Sequence, residues 1–324
     1  MFSHLDAIRS RVAAVALLCL PFILDSGAVP GQTEPPREAE GKSHAVEFES
    51  RNLNFRFSER LAVEIRYLRG RMVPLRAGEP VTFDDVASFE IVAESAVVAL
   101  TPSALTTVLN DYAFAYEGAP LKDLKADLIG DQLRISGHLH KGVVLPFVLQ
   151  GRPQATPEGQ IRMHADKISS VHLPVKSLLH LFGEDLAKLV NTNEAKGVRI
   201  DGDDILLFPD RLLPAPHIHG KVTHVAVENG RIVQTFGSGR PLRPLSPPRK
   251  AANYVYHRGG ELRFGKLTMT DADLEIIDVS PADPFDFFLG QYNRQLVAGY
   301  SKNTPSHGLV VFMPDYHRLP AARH

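Results

Sequence analysis

The sequence predicts an α+β protein in which a curled, mostly antiparallel β-sheet wraps amphipathic helices, followed by a smaller C-terminal α+β block. Two observations carry this prediction. Apolar and polar residues alternate with a period of two through most of 46–236, which is typical of half-buried antiparallel strands. Three other segments have apolar residues three and four positions apart, which is typical of helices with one buried face.

The predicted strands of the larger part follow one another with turn signals between them. A hairpin is expected at Asn229-Gly230, because both residues accept a positive φ. The segment 143–149 is apolar on both faces, which predicts a central strand or one that lines an internal cavity. The predicted strands are 46–48, 53–57, 61–67, 89–100, 121–129, 132–140, 143–149, 161–168, 198–200 and 205–208.

Helices are predicted at 101–112, 174–190 and 284–300. Thr101 can cap the first of them, where Pro102 fits the first turn, and Asp283 can cap the third. Each apolar face must pack against something apolar, so we expect the first two helices to line a groove. The predicted lining residues are Leu105, Val108, Leu109, Tyr112, Leu178, Leu179 and Phe182.

Proline-rich segments divide the chain into regions. We predict a flexible linker at 29–43 and a second linker, rich in proline and arginine, at 237–250. A β-rich domain is therefore expected at 44–236 and a separate C-terminal block at 251–318.

The first 28 residues have the pattern of an export signal. Arg9 and Arg11 precede an apolar run at 12–24, and small and helix-breaking residues follow it. The run is shorter than the roughly 20 residues that a spanning helix needs, which favours a signal peptide at 1–28 over a retained anchor. We therefore predict a periplasmic or secreted protein.

The composition excludes several classes of function. The 324 residues include 36 Lys and Arg against 37 Asp and Glu, whereas a protein that binds nucleic acid usually has a strong basic surplus. The one cysteine, Cys19, lies in the predicted signal peptide, so no disulfide or cysteine-based metal site is expected after it. The sequence also lacks the nucleophile elbow of hydrolases and the glycine-rich loops that bind phosphates.

Histidine pairs and carboxylates are the weaker candidates for a metal or catalytic site. His138 and His140 lie on one face of a predicted strand, as two ligands of a zinc site would. Acidic residues in the C-terminal block could bind Ca²⁺ or form an acid–base pair. An exposed strand face and a helix cap explain both sets without a metal, so no cofactor is predicted. The acidic residues are Asp271, Asp273, Glu275, Asp278, Asp283 and Asp286.

Short motifs between Val97 and about Phe236 resemble exported bacterial proteins of the YpmS and LmeA type, which have TULIP-like (tubular lipid-binding) folds. The matching residues are Leu100-Thr101-Pro102-Ser103-Ala104-Leu105, Leu133-Arg134-Ile135-Ser136-Gly137, and Leu173-Pro174-Val175 through Gly183. The resemblance implies a lipid-binding groove, an envelope role and no catalytic residues. The block after residue 250 has no counterpart in that pattern.

These observations favour a non-catalytic envelope protein that binds a lipid or another hydrophobic ligand in an apolar groove, with a membrane surface as a further partner. The first alternative is a metal-assisted hydrolase of the cell envelope that uses His138 and His140 or the acidic residues. The second is an envelope scaffold in which the C-terminal block binds a protein partner through Tyr300, Phe312 and Tyr316.

Overall fold

The computed structural model describes residues 44–169, 192–240 and 242–320. The predicted signal peptide and Cys19, the linker at 29–43 and the helix at 174–190 lie outside the described residues. So do Leu178, Leu179 and Phe182, three of the seven predicted lining residues. The described residues belong to one compact unit, which spans Lys42–His324.

The fold is α+β and rich in strands, as the sequence predicts. The strands are β1 Val46–Arg56, β2 Ala62–Pro74, β3 Val81–Thr82, β4 Phe89–Leu100, β5 Leu121–Ile129, β6 Gln132–Lys141, β7 Val143–Gly151, β8 Pro153–Ala155, β9 Ile161–His164, β10 Lys167–Ser169, β11 Val198–Asp201, β12 Asp204–Leu207, β13 Ile218–His219, β14 Val222–Glu228, β15 Arg231–Gly237, β16 Tyr254–Arg258, β17 Leu262–Phe264, β18 Leu267–Met269, β19 Asp273–Asp278, β20 Phe285–Phe288, β21 Tyr300–Asn303 and β22 Leu309–Met313. The helices are α1 Pro102–Val108, α2 Pro209–Leu212 and α3 Tyr292–Ala298.

The strands form one large sheet and three small ones. The main sheet has 11 strands, with the order β14-β15-β4-β2-β1-β16-β19-β22-β21, and β13 and β20 pair with β4 and β1 beside this path. It is mixed, because β20 is parallel to β1, β13 to β4 and β22 to β19. The small sheets have the orders β10-β7-β6-β5, β11-β12-β9-β8 and β18-β17-β3.

Residues on both sides of 237–250 contribute to the main sheet. Strand β1 pairs with β16 so that Phe48 lies opposite His257 and Ser50 opposite Val255. Strand β20 pairs with the second half of β1, and Asn54 lies opposite Asp286. The predicted β-rich domain and the C-terminal block therefore share one sheet.

The proline-rich segment 237–250 is tied to one face of the main sheet by four side chains. Ser95 Oγ on β4 donates to the Arg240 carbonyl at 2.7 Å, and Tyr67 Oη on β2 accepts from the Leu242 amide at 3.0 Å. Glu49 on β1 accepts from the Leu245 amide, and Glu275 on β19 accepts from the Arg249 amide at 2.8 Å. Proline has no backbone N–H, so this segment has fewer donors. The amides of Leu242, Leu245 and Arg249 each donate to a side-chain acceptor in the sheet.

Two of the predicted helices fall within the described residues. The prediction at 101–112 is confirmed as α1 followed by a π-helical turn at Leu109–Ala113, and Thr101 Oγ1 accepts from the Ala104 amide at 3.1 Å. The prediction at 284–300 is wrong for Phe285–Phe288, which form β20, and correct for Tyr292–Ala298 in α3. Aromatic residues favour strands, and all four residues of β20 are buried beside β1.

The alternation of strand β1 changes phase at Asn52. Phe48 and Ser50 line the core before it, and Leu53 and Phe55 line the same core after it. Asn52 has a φ of 51°, a conformation that asparagine accepts more readily than most residues. The main sheet thus keeps one continuous apolar face along β1.

Candidate ligand-binding site

The apolar face of the main sheet borders two small internal cavities. The first has a volume of about 40 Å³ and lies between β4, β15 and β13 of the main sheet and residues of α1, α2, β6, β9 and β12. Its lining is apolar except for Gln234. Leu100 and Leu105 lie on its wall, directly before and within α1. The cap of α1 therefore fixes one side of this cavity.

The second cavity, of about 30 Å³, lies farther along the same face of the main sheet. Aromatic and aliphatic side chains from β1, β2, β4 and β20 surround it, with Phe83 from the loop after β3. Ile218 of β13 lines both cavities. The two cavities are therefore neighbours along one apolar seam, which we define as the lining of these two cavities.

Ser50 and His257 are the two polar side chains in the lining of the second cavity. Both are buried, and Ser50 Oγ and His257 Nδ1 have no hydrogen-bond partner among the described residues. The ring of His257 stacks on Phe48 at a centroid distance of 6.2 Å and meets Phe83 edge-on at 5.2 Å. Burial lowers the pKa of His257 to about 4, so the imidazole is neutral at physiological pH.

The two cavities of the seam have room for little more than water-sized groups. A cavity that holds one water needs roughly 10–15 Å³ of such volume, and each cavity exceeds this by a small factor. An acyl chain enters only if the layers on the two sides of the seam move apart. The small sheet that contains β9 and β12 forms much of the wall opposite β4 and β15.

The predicted lining residues of the first helix have different places in the structure. Leu105 lines the first cavity. Val108 and Leu109 are fully buried in the hydrophobic core without lining either cavity, and Tyr112 packs at the edge of the core. The apolar face of this helix therefore packs against the core, and Leu105 is its residue at the seam.

Sequence reasoning missed Ser50, His257 and Ile218. Ser50 occupies the inward position after Phe48 in the alternation of β1, where an apolar residue is expected. His257 follows the aromatic and apolar run 254–256 and stays within the buried part of β16. Both residues could have been found in the sequence as polar side chains at strand positions where the alternation predicts an apolar one. Ile218 stands in a two-residue strand that follows Pro214 and Pro216 and precedes Gly220, and so short a strand gives no periodicity to interpret.

The weak metal candidates are either exposed or paired with other side chains. His138 Nδ1 lies 3.2 Å from Asp123 Oδ2 at the surface, and His140 is exposed. Asp273 accepts hydrogen bonds from Tyr256 Oη and Ser306 Oγ, and Asp271 is exposed. The described residues place neither pair in a group of three or more metal-ligating side chains.

A different cluster gathers Asp283, Asp315 and His317, whose ligand atoms lie within 4.8 Å of one another. It borders an open polar pocket of about 250 Å³. Arg318 already bridges the two carboxylates, with Nη2 at 3.0 Å from Asp283 Oδ1 and Nε at 3.2 Å from Asp315 Oδ2, the latter without hydrogen-bond geometry. Burial and neighbouring carboxylates raise the pKa of Asp315. The guanidinium thus occupies the place that a cation would take.

The residues suggested for binding a protein partner differ in exposure. Tyr300 is about half exposed and stacks on Phe312 at a centroid distance of 4.6 Å. Tyr316 is buried, and its hydroxyl is held by Arg294 at 2.8 Å. Val143 and Val144, at the start of β7 beside the β6–β7 turn, are 57% and 58% exposed. Exposed apolar side chains are therefore scattered over the surface, since they also include Leu75, Ile129, Leu242, Leu267, Val279 and Val297.

Comparison with known proteins adds no assignment. No protein-family model, curated protein or solved structure matches this chain. Among the described residues, no helix has the length and apolar character that crossing a membrane requires.

Proposed function

We propose that the protein is an exported envelope protein that binds a lipid or another hydrophobic ligand along the apolar seam, without catalysis. In this proposal the main sheet is the curled wall of a tube, α1 and the small sheet of β9 and β12 close it, and the ligand chain lies between them. The export-signal pattern at 1–28 supports a periplasmic or secreted location.

The observation that carries the proposal is the placement of the two cavities. They are lined almost wholly by apolar side chains, they follow one another along the same sheet face, and one residue, Ile218, borders both. Unrelated packing defects would not be expected next to each other along one sheet face, whereas a bound acyl chain needs consecutive apolar space. Burial of about 300 Å² of ligand tail is worth roughly 7 kcal/mol before the costs of binding.

The seam also lacks the features that chemistry requires. Its two polar residues in the second cavity are a serine and a neutral histidine without a carboxylate among the lining residues. The acidic cluster at Asp283, Asp315 and His317 is bridged by Arg318. Ligand burial therefore accounts for more of the described site than a metal-assisted hydrolase does.

We expect Val98→Phe to reduce uptake of a hydrophobic ligand at least about ten-fold while changing the free energy of unfolding by less than about 2 kcal/mol. Val98 is buried on β4 and lines the first cavity, so a larger ring fills space that the ligand needs. The measurement is transfer of a radiolabelled phospholipid or fatty acid from vesicles to the protein, together with urea unfolding.

Val63→Ala is the matched control for this experiment. Val63 is equally buried on the neighbouring strand β2 but does not line either cavity. This variant loses about 1–3 kcal/mol of stability and keeps its uptake. Equal uptake by wild type and Val98→Phe would remove the seam as the binding site.

A further inference from the structure

Ser50 and His257 form a polar pair at the second cavity, and one polar atom of each has no hydrogen-bond partner among the described residues. On strands β1 and β16, Phe48 lies opposite His257 and Ser50 opposite Val255, so Ser50 and His257 are diagonal neighbours on the apolar face. Folded proteins rarely bury polar atoms without partners, because burial removes the hydrogen bonds that water supplies. Ser50 Oγ and His257 Nδ1 are two such atoms at one cavity.

We propose that Ser50 and His257 bind the polar end of the ligand, and that this end is an uncharged hydroxyl on a single apolar chain. The inference rests on the proposed function, because it assigns the head of the ligand to the second cavity and its chain to the seam that passes Ile218. A long-chain primary alcohol represents this class of ligand.

The chemistry of the cavity selects an uncharged group. Its lining contains no lysine, arginine or carboxylate, and the imidazole of His257 is neutral. A carboxylate placed there would lose its hydration with no cation to replace it. A hydroxyl can accept a hydrogen bond from one member of the pair and donate one to the other, since the serine hydroxyl offers both roles and His257 Nδ1 offers one of them, set by the tautomer.

The surroundings hold the pair in position. Phe48 and Phe83 contact two sides of the His257 ring, and β1 and β16 are interior strands of the main sheet. The second cavity admits a group the size of a hydroxyl with its first carbon atoms, and the next open volume along the seam lies beyond Ile218. The polar end is thus fixed by a rigid pair and the chain by apolar contact.

The experiment compares dodecan-1-ol with 1-methoxydodecane, in which a methyl group replaces the hydroxyl hydrogen, each partitioned from phosphatidylcholine vesicles into the full-length protein. We expect wild type to bind the alcohol about ten-fold more tightly than the ether, as one or two hydrogen bonds allow. Ser50→Ala should reduce this preference to about two-fold or less, bind the ether as wild type does, and keep or raise the melting temperature.

Ser95→Ala is the matched control. Ser95 is also a fully buried serine of the main sheet, but its hydroxyl donates to the Arg240 carbonyl at 2.7 Å. This variant should lower the melting temperature and keep the preference for the alcohol.

Two results would overturn the assignment of the polar end. One is an unchanged preference for the alcohol in Ser50→Ala. The other is a fall in the melting temperature of Ser50→Ala equal to that of Ser95→Ala, since it would show that the Ser50 hydroxyl already has a structural partner, such as a buried water. Failure of wild type to bind either probe would instead contradict the proposed function itself.

Discussion

Asp286→Ala is expected to lower the free energy of unfolding by about 3–5 kcal/mol, because it removes a buried carboxylate that several donors share. Asp286 is 2% exposed on β20. Its carboxylate accepts from Arg56 Nε at 2.7 Å, Asn54 Nδ2 at 2.9 Å and the His317 amide at 3.1 Å, and lies 2.9 Å from His317 Nδ1. Urea unfolding at neutral pH measures the effect.

Asp283→Ala provides the control for this change. Asp283 is part of the same cluster, but its ion pair with Arg318 is solvent-exposed on both sides and is worth about 1 kcal/mol or less. Equal losses in the two variants would contradict a structural role for Asp286. A melting temperature of wild type that rises with added Zn²⁺ or Ca²⁺, and no longer does so in Asp283→Ala, would revive the metal-assisted alternative.

Glu275→Gln is expected to stabilise the protein at pH 8 by on the order of 3 kcal/mol relative to its effect at pH 4. Burial on β19 raises the pKa of Glu275 from 4.5 to about 7. Between these values the folded protein holds a proton that the unfolded chain has released. Stability therefore falls as the pH rises through this window, and the amide removes that loss while still accepting from the Arg249 amide.

The measurement is the difference in unfolding free energy between Glu275→Gln and wild type across pH 4–8. The comparison with wild type matters, because His257 also makes stability depend on pH. Its pKa is lowered in the folded protein, so its effect is opposite to that of Glu275: the protein loses stability as the pH falls below about 6.5. Glu94→Gln, at an exposed ion pair with Arg71, is the control for loss of a surface carboxylate and should change the free energy of unfolding by about 1 kcal/mol or less. A constant difference for Glu275→Gln would contradict the buried, proton-holding carboxyl.

Local patterns predicted much of the fold because they report burial directly. The predicted strands 46–48 and 53–57 correspond to the two ends of one strand, β1, on either side of Asn52. The cap at Thr101 placed the start of α1 correctly. The error at 285–288 arose because its aromatic residues at a helical spacing also suit a strand, and pairing with β1, more than 200 residues earlier, decided between the two.

Long-range pairing also explains what the sequence concealed about the site. Nothing local shows that Ser50 and His257 share a cavity, because β1 and β16 are neighbours only in the folded sheet. The segment 237–250 has the composition of a spacer, yet side chains on four strands hydrogen-bond to its backbone, three as acceptors and Ser95 as a donor. Leu105 borders the first cavity and Val108, Leu109 and Tyr112 border neither of the two, since an apolar helix face indicates burial without indicating what it faces.

Native mass spectrometry of the protein, purified gently from a bacterial envelope fraction, tests the central claim most directly. We expect a discrete added mass that disappears on extraction with organic solvent and fragments as a single-chain or acylated molecule. Val98→Phe, prepared in the same way, should carry less of it. A protein without added mass, which also takes up no lipid after incubation with vesicles, would contradict the binding of a hydrophobic ligand along the seam.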